Sequence, residues 1–219
     1  MFIGHYALGL ASKKINKAPS LATMFLAVSF LDLLWPIFVL CGFETFHIDV
    51  GNTKLTPLNF ESYPYSHSLL MTIAWSLVFG LTYFFITKNR QGSVLLFGLV
   101  FSHWILDFIT HRPDLPITPF SDLKVGLGLW NYPVIEIILE LGLFITGTIL
   151  YFKTARPKRK IAFWCLIIFF LTIHLMNILG PPPPTVNAVA WAANLSWLFV
   201  LWAWWIERKQ LTEVKTTNR

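Results

Sequence analysis

Charge is scarce in this chain. Asp, Glu, Lys and Arg make up 13% of its 219 residues, roughly half the share usual in soluble domains, and this excludes an ordinary water-exposed fold. Cysteine is nearly absent. Cys41 and Cys165 both lie in apolar runs, so no disulfide framework is implied. There is no glycine-rich phosphate loop, no heptad seam and no internal repeat, which removes the common signs of nucleotide binding, coiled-coil pairing and repeat-built transport. The opening stretch "MFIGHYALGLAS" ends in Lys13 and Lys14 instead of beginning with basic residues, and no small-residue cleavage site follows. The sequence therefore predicts no secretory signal.

Apolar and aromatic residues are abundant. Hydrophobic residues form 55% of the chain, with ten Trp and twenty Phe, and mean hydropathy is +0.60. Hydropathy predicts an all-α, polytopic membrane bundle: a single domain over residues 1–219, with six spans near 21–43, 67–87, 92–111, 133–153, 161–180 and 187–206. Each is close to the ~20 residues that cross a bilayer. A further short helix is expected over residues 1–14. At ~1.5 Å per residue it rises only about half a membrane, so it is either interfacial or re-entrant.

The net charge of +6 is distributed as topology and not as a nucleic-acid face. Lys13, Lys14 and Lys17 precede the first span. Lys88 and Arg90 separate the second from the third, "KTARPKRK" (Lys153–Lys160) the fourth from the fifth, and "ERKQ" follows the sixth. The intervening loops are neutral to acidic. The positive-inside rule then places both termini in the cytoplasm, as in a bacterial cytoplasmic membrane.

Ionisable residues inside the spans are expensive, at roughly 2.5–3.5 kcal/mol each on insertion scales, and usually functional. "SHWILDFITH" (Ser102–His111) carries three: His103, Asp107 and His111, spaced i, i+4, i+8 on one helix face. Imidazole and carboxylate one turn apart are the ligand set of zinc, iron or manganese, and a carboxylate between two histidines suits one or two bridged ions. Further ligands must come from other elements. Candidates are Asp32 mid-span, His67 at the head of the second span, and His5, which reaches comparable depth only if residues 2–12 are re-entrant. Glu136 and Glu140 enter the fourth span one turn apart; Glu140 is a candidate catalytic carboxylate. His174, alone in the fifth span, reads as an interhelical hydrogen-bonding residue.

These residues and their order resemble the YdjM-like membrane-bound metal-dependent hydrolases: Gly4–His5, the Asp–Pro motif of "FLDLLWP", "SHS" at 66–68 and "SHWILDFIT". That family is in turn distantly similar to zinc-dependent phospholipase C. The resemblance spans roughly the first 120 residues. It implies one metal, zinc first, on Asp32, His67, His103 and Asp107, and a second on His5 with Asp107; His111 would take the place of a further histidine. Soluble relatives place a later His-xxx-Glu where this chain has Glu136-xxx-Glu140.

The function expected is hydrolysis of a phosphoester or lipid-type amphiphile from a site in the outer half of the bilayer. In the loop "HRPDLPITPFSDLKVGLGLW", Arg112 would clamp a phosphate through its planar fork and Asp114 would serve as general base. The expected partners are membrane lipids and the amphiphilic substrate, with no nucleic acid. Two other classes stay open: a divalent-cation or proton transporter, which the lack of repeats and the N-terminal clustering of ligands disfavour, and a scaffold with a closed structural metal.

Overall fold

The computed structural model describes the backbone of residues 1–217 and the side chains of residues 1–208. The helices are α1 (Ile3–Ser12), α2 (Leu21–Val28), α3 (Phe30–Leu40), α4 (Pro64–His67), α5 (Leu69–Thr87), α6 (Arg90–Thr110), α7 (Pro133–Ala155), α8 (Lys160–Leu179), α9 (Val186–Asn194) and α10 (Trp197–Thr217). Among the described residues, five stretches are long and apolar enough to cross a membrane: α5, α6, α7, α8 and the continuous run Val186–Arg208. A sixth exists if α2 and α3, bent by 55° at Ser29, count as one span. The long helices show lipid-suited faces, as with Leu70, Ile73, Leu77, Leu81 and Phe85 on α5, all exposed.

Local chemistry starts and stops these helices. Ser20, Ser68, Asn89 and Thr185 cap α2, α5, α6 and α9 by accepting backbone N–H groups through their side-chain oxygens. Pro64 and Pro133 open α4 and α7, where a missing N–H goes unnoticed. The Ser29 hydroxyl donates back to the Phe25 carbonyl, 2.7 Å away, a contact that bends helices. Pro36 inside α3 removes the donor that would have bonded the Asp32 carbonyl.

The all-α expectation overlooked two small antiparallel sheets. Strand β1 (Thr45–Ile48) pairs with β2 (Leu58–Ser62), and β3 (Leu115–Pro116) with β4 (Lys124–Val125). Both sit in the long loops on the neutral side of the spans. Phe46 turns inward from β1 to join Trp35, Tyr63, Trp104 and Leu115 in an apolar cluster of its own. These loops need internal backbone partners, which the short sheets supply.

The N-terminal helix is buried in the bundle. Ile3, Tyr6, Ala7 and Leu10 of α1 belong to the main core, with Phe25, Phe144, Phe163 and Phe170. Its closest neighbour is α7, because Gly147 has no Cβ: one built there would lie 2.4 Å from the Ala7 carbonyl oxygen. At the other end, Lys13 is not the solvated loop charge that its place among the basic residues predicts. Its ammonium lies 3.0 Å from Glu207 Oε1. Glu207 also accepts from Tyr151 Oη (3.0 Å) and the Leu21 N–H (2.7 Å). One buried carboxylate thus ties α1, α2, α7 and α10 together.

Candidate metal centre

Four elements converge on Asp107. His103 and Asp107 stand one turn apart on α6, as their spacing predicts. His103 Nε2 is 3.0 Å from Asp107 Oδ2. His67, the last residue of α4, brings its Nε2 to 3.8 Å from the same oxygen. Asp32 on α3 places Oδ1 at 3.5 Å from His67 Nε2 and 3.6 Å from His103 Nε2. The other Asp107 oxygen, Oδ1, faces a second group: His5 Nε2 at 3.1 Å, the Met1 amine at 3.1 Å and His111 Nε2 at 4.0 Å. The His5 and His103 rings stack in parallel, 3.7 Å between centroids. Two ligand groupings result, Asp32–His67–His103 and His5–His103–Asp107, in each of which the donor atoms lie within 4.8 Å of one another.

The outer nitrogens of three rings are held by the protein. His103 Nδ1 lies 2.7 Å from the Val28 carbonyl at the end of α2. A carbonyl only accepts, so Nδ1 carries a hydrogen, and in the neutral ring Nε2 presents its lone pair, buried and without a hydrogen-bond partner. A lone pair facing two carboxylates is unfavourable unless a cation or a proton lies between, and this donor set fits a transition metal. His111 Nδ1 donates to Asp114 Oδ1 at 2.9 Å, and Tyr63 Oη donates to the same oxygen at 2.8 Å. Burial first, then the Asp114 charge, pushes the Tyr63 phenol well above its ordinary value, so it remains a donor. His67 Nδ1 is 2.7 Å from Ser66 Oγ.

Exposure is uneven. The side chains of His5, His67, His103, Asp107 and His111 are 5% exposed or less, whereas that of Asp32 is 40% exposed. The cluster is closed on most sides and open at Asp32.

The remaining predicted site residues take other places. His111 is not part of the α6 helix. It follows the last turn with extended backbone, yet its ring still turns toward Asp107, with Trp130 packed 4.1 Å away. Asp114 is engaged by His111 and Tyr63, with Arg112 Nε 3.4 Å from its second oxygen. These contacts let it orient the His111 imidazole. Arg112 also donates to Asn59 on β2, joining the two long loops. Glu140 lies outside both groupings. It accepts the Phe2 and Gly4 N–H groups at the start of α1, with His174 Nδ1 3.7 Å away, so it anchors the helix that carries His5. Sequence reasoning missed Val28, Tyr63 and Ser66. Tyr63 and Ser66 flank His67 closely enough to have been considered; Val28 carries no local signal.

These features define an integral membrane helical bundle whose His and Asp groups could hold a metal. The family model of the YdjM inner membrane protein matches residues 52–180, and the chain belongs to that family. The match takes in His67, His103, Asp107 and His111. It begins after His5 and Asp32 and runs well past residue 120, where the motif resemblance ended. No curated protein and no solved structure matches the chain.

Proposed function

We propose that this protein is a metal-dependent hydrolase embedded in the membrane, acting on a phosphoester or other lipid-type amphiphile, with zinc as the first candidate metal. The bent α2–α3 pair is read as the sixth span. Both termini then face the cytoplasm, and the centre lies in the outer half of the bilayer. At ~1.5 Å per residue, His103 and Asp107 stand about 20–25 Å along α6 from Arg90 at its basic end.

The observation that carries this reading is the division of Asp107: one oxygen faces His67 and His103, the other faces His5 and His111. Asp32, His67, His103 and Asp107 would hold one ion, and His5, Asp107 and His111 a second. A divalent metal there supplies Lewis acidity and lowers the pKa of bound water. The protein's own groups do the rest. Val28, Ser66 and Asp114 fix the rings, and the opening at Asp32 is the route by which a head group reaches the cluster. Arg112, half-buried at the loop above, is placed to meet an anionic head group while the tails remain in lipid. Motif order alone supports the likeness to phospholipase C.

The test is metal content of the detergent-purified protein beside a His103→Ala/Asp107→Ala double variant, by elemental mass spectrometry. One or two equivalents in the wild type, lost in the variant, are expected, followed by turnover of phosphoester or phospholipid substrates that Asp107→Asn abolishes. Absence of metal in the wild type after reconstitution with zinc or manganese would overturn the reading and leave a buried polar network, as in a transporter or scaffold.

A further inference from the structure

Glu44 stands just after α3, in a loop, and yet is 1% exposed. A carboxylate removed from water this completely needs partners, and it has three. Its Oε1 accepts the N–H groups of Tyr65 (2.9 Å) and Ser66 (2.7 Å), and its Oε2 accepts from the Ser66 hydroxyl at 2.6 Å. The two N–H bonds cap the short α4 turn. The third does something capping does not require. Ser66 Oγ, having given its hydrogen to Glu44, can only accept on its other side, and the atom there is His67 Nδ1 at 2.7 Å. Burial pushes the Glu44 carboxyl up from its ordinary value, against the hydrogen bonds from Ser66 and Tyr65.

We propose that Glu44 and Ser66 are positioning residues of the metal centre. The chain Glu44–Ser66–His67 holds the imidazole hydrogen on Nδ1 and presents Nε2, lone pair inward, to the ion shared with Asp32, His103 and Asp107. The inference rests on the metal-centre reading above. It gives His67 what Val28 gives His103 and Asp114 gives His111. It also links the ligand to the loop between α3 and β1, remote from it in sequence. Partners of this kind typically change metal affinity by about 10–100-fold when removed.

The relay has a polarity, and that makes it testable. In Glu44→Gln the two N–H donors keep the amide oxygen at the Oε1 position, so the amide NH2 faces Ser66. The hydroxyl then accepts from Gln and donates to His67 Nδ1, which moves the imidazole hydrogen to Nε2 and blocks the ligand atom. Ser66→Ala breaks the link but leaves both capping N–H bonds in place.

The experiment is zinc and cobalt(II) affinity of the full-length chain in detergent at pH 8, by competition with a chromophoric chelator, together with the cobalt visible spectrum and the melting temperature without metal. Ser66→Ala is expected to bind about 10–100-fold more weakly and Glu44→Gln at least as weakly, each with a shifted cobalt band and metal-free melting close to wild type. Ser66→Thr, which keeps the hydroxyl, should return to near wild-type affinity. Unchanged affinity in both Ser66→Ala and Glu44→Gln would overturn the inference, whether or not melting falls, and would make Glu44 a cap for α4 only. A wild type that takes up neither metal would overturn the metal-centre reading itself, and this inference with it.

Discussion

His103 Nε2 and Asp107 Oδ2 stand 3.0 Å apart, and because Val28 accepts the hydrogen on Nδ1, the neutral ring turns its Nε2 lone pair toward that oxygen. Oδ2 is therefore poised for a cation, while Oδ1 faces the His5 side. Asp107→Asn preserves shape and removes charge from both groupings at once. We expect the variant to express and insert normally yet to lose at least one metal equivalent, with affinity down by 100-fold or more. Elemental analysis of the purified protein checks this, and full occupancy in the variant would sink the bridging role.

The Tyr63–Asp114–His111 chain acts on one side of Asp107 only. Asp114→Asn should weaken the metal grouping on the His5 and His111 side by about 10–100-fold and leave the Asp32–His67–His103 grouping nearly unchanged. Under a graded chelator challenge the variant would fall from two equivalents to one where the wild type holds both. Parallel loss of both equivalents would show that Asp114 supports the whole centre.

Close approach of α1 and α7 at Gly147 has a matched control on the same helix. A Cβ at Gly147 meets the Ala7 backbone at 2.4 Å, while one at Gly142 has nothing within 4 Å. Gly147→Ala should destabilise by about 1–3 kcal/mol, as overpacking does, and lower metal occupancy by displacing His5. Gly142→Ala should be neutral or slightly stabilising. Melting curves in detergent separate the two, and equal behaviour would contradict the packing of α1 against α7.

Glu207 is the carboxylate that the ends of α1, α2 and α7 nearest the basic loops share. Glu207→Ala strands Lys13 in a buried place, and loss of one partner of such a pair typically costs about 3–5 kcal/mol. A large fall in melting temperature is expected, with metal affinity of the folded fraction retained, because the clamp lies at the opposite end of α1 from His5. Wild-type melting would mean that Lys13 finds water once its partner is removed.

Periodicity and hydropathy suffice for five membrane-length stretches among the described residues because both are local properties. Twenty apolar residues make a membrane-length helix whatever packs beside them, and His103 and Asp107 share a helix face by the geometry of one turn. The same locality explains the errors. The apolar run near 21–43 gives no sign of the break at Ser29, and the i, i+4, i+8 spacing extends the helix to His111, where the chain leaves helical geometry. Lys13 looked like a loop charge because its partner is 194 residues away.

The roles of the site residues depended on contacts that no spacing encodes. Glu140, one turn from Glu136 inside a span, has the pattern of a catalytic carboxylate, but the start of α1 sits against it and its oxygen holds two N–H groups. Asp114 has the pattern of a free base, but Tyr63 and His111 converge on it. Composition and helical period by themselves determined a multi-helix membrane protein with a His–Asp pair on one helix face. Only the tertiary structure decided that α1 enters the core, that Asp32, His67 and His5 reach that pair, and which nitrogen of each held ring faces inward. A helical turn is set by neighbours four residues apart, whereas a metal centre is assembled by packing between elements distant in the chain.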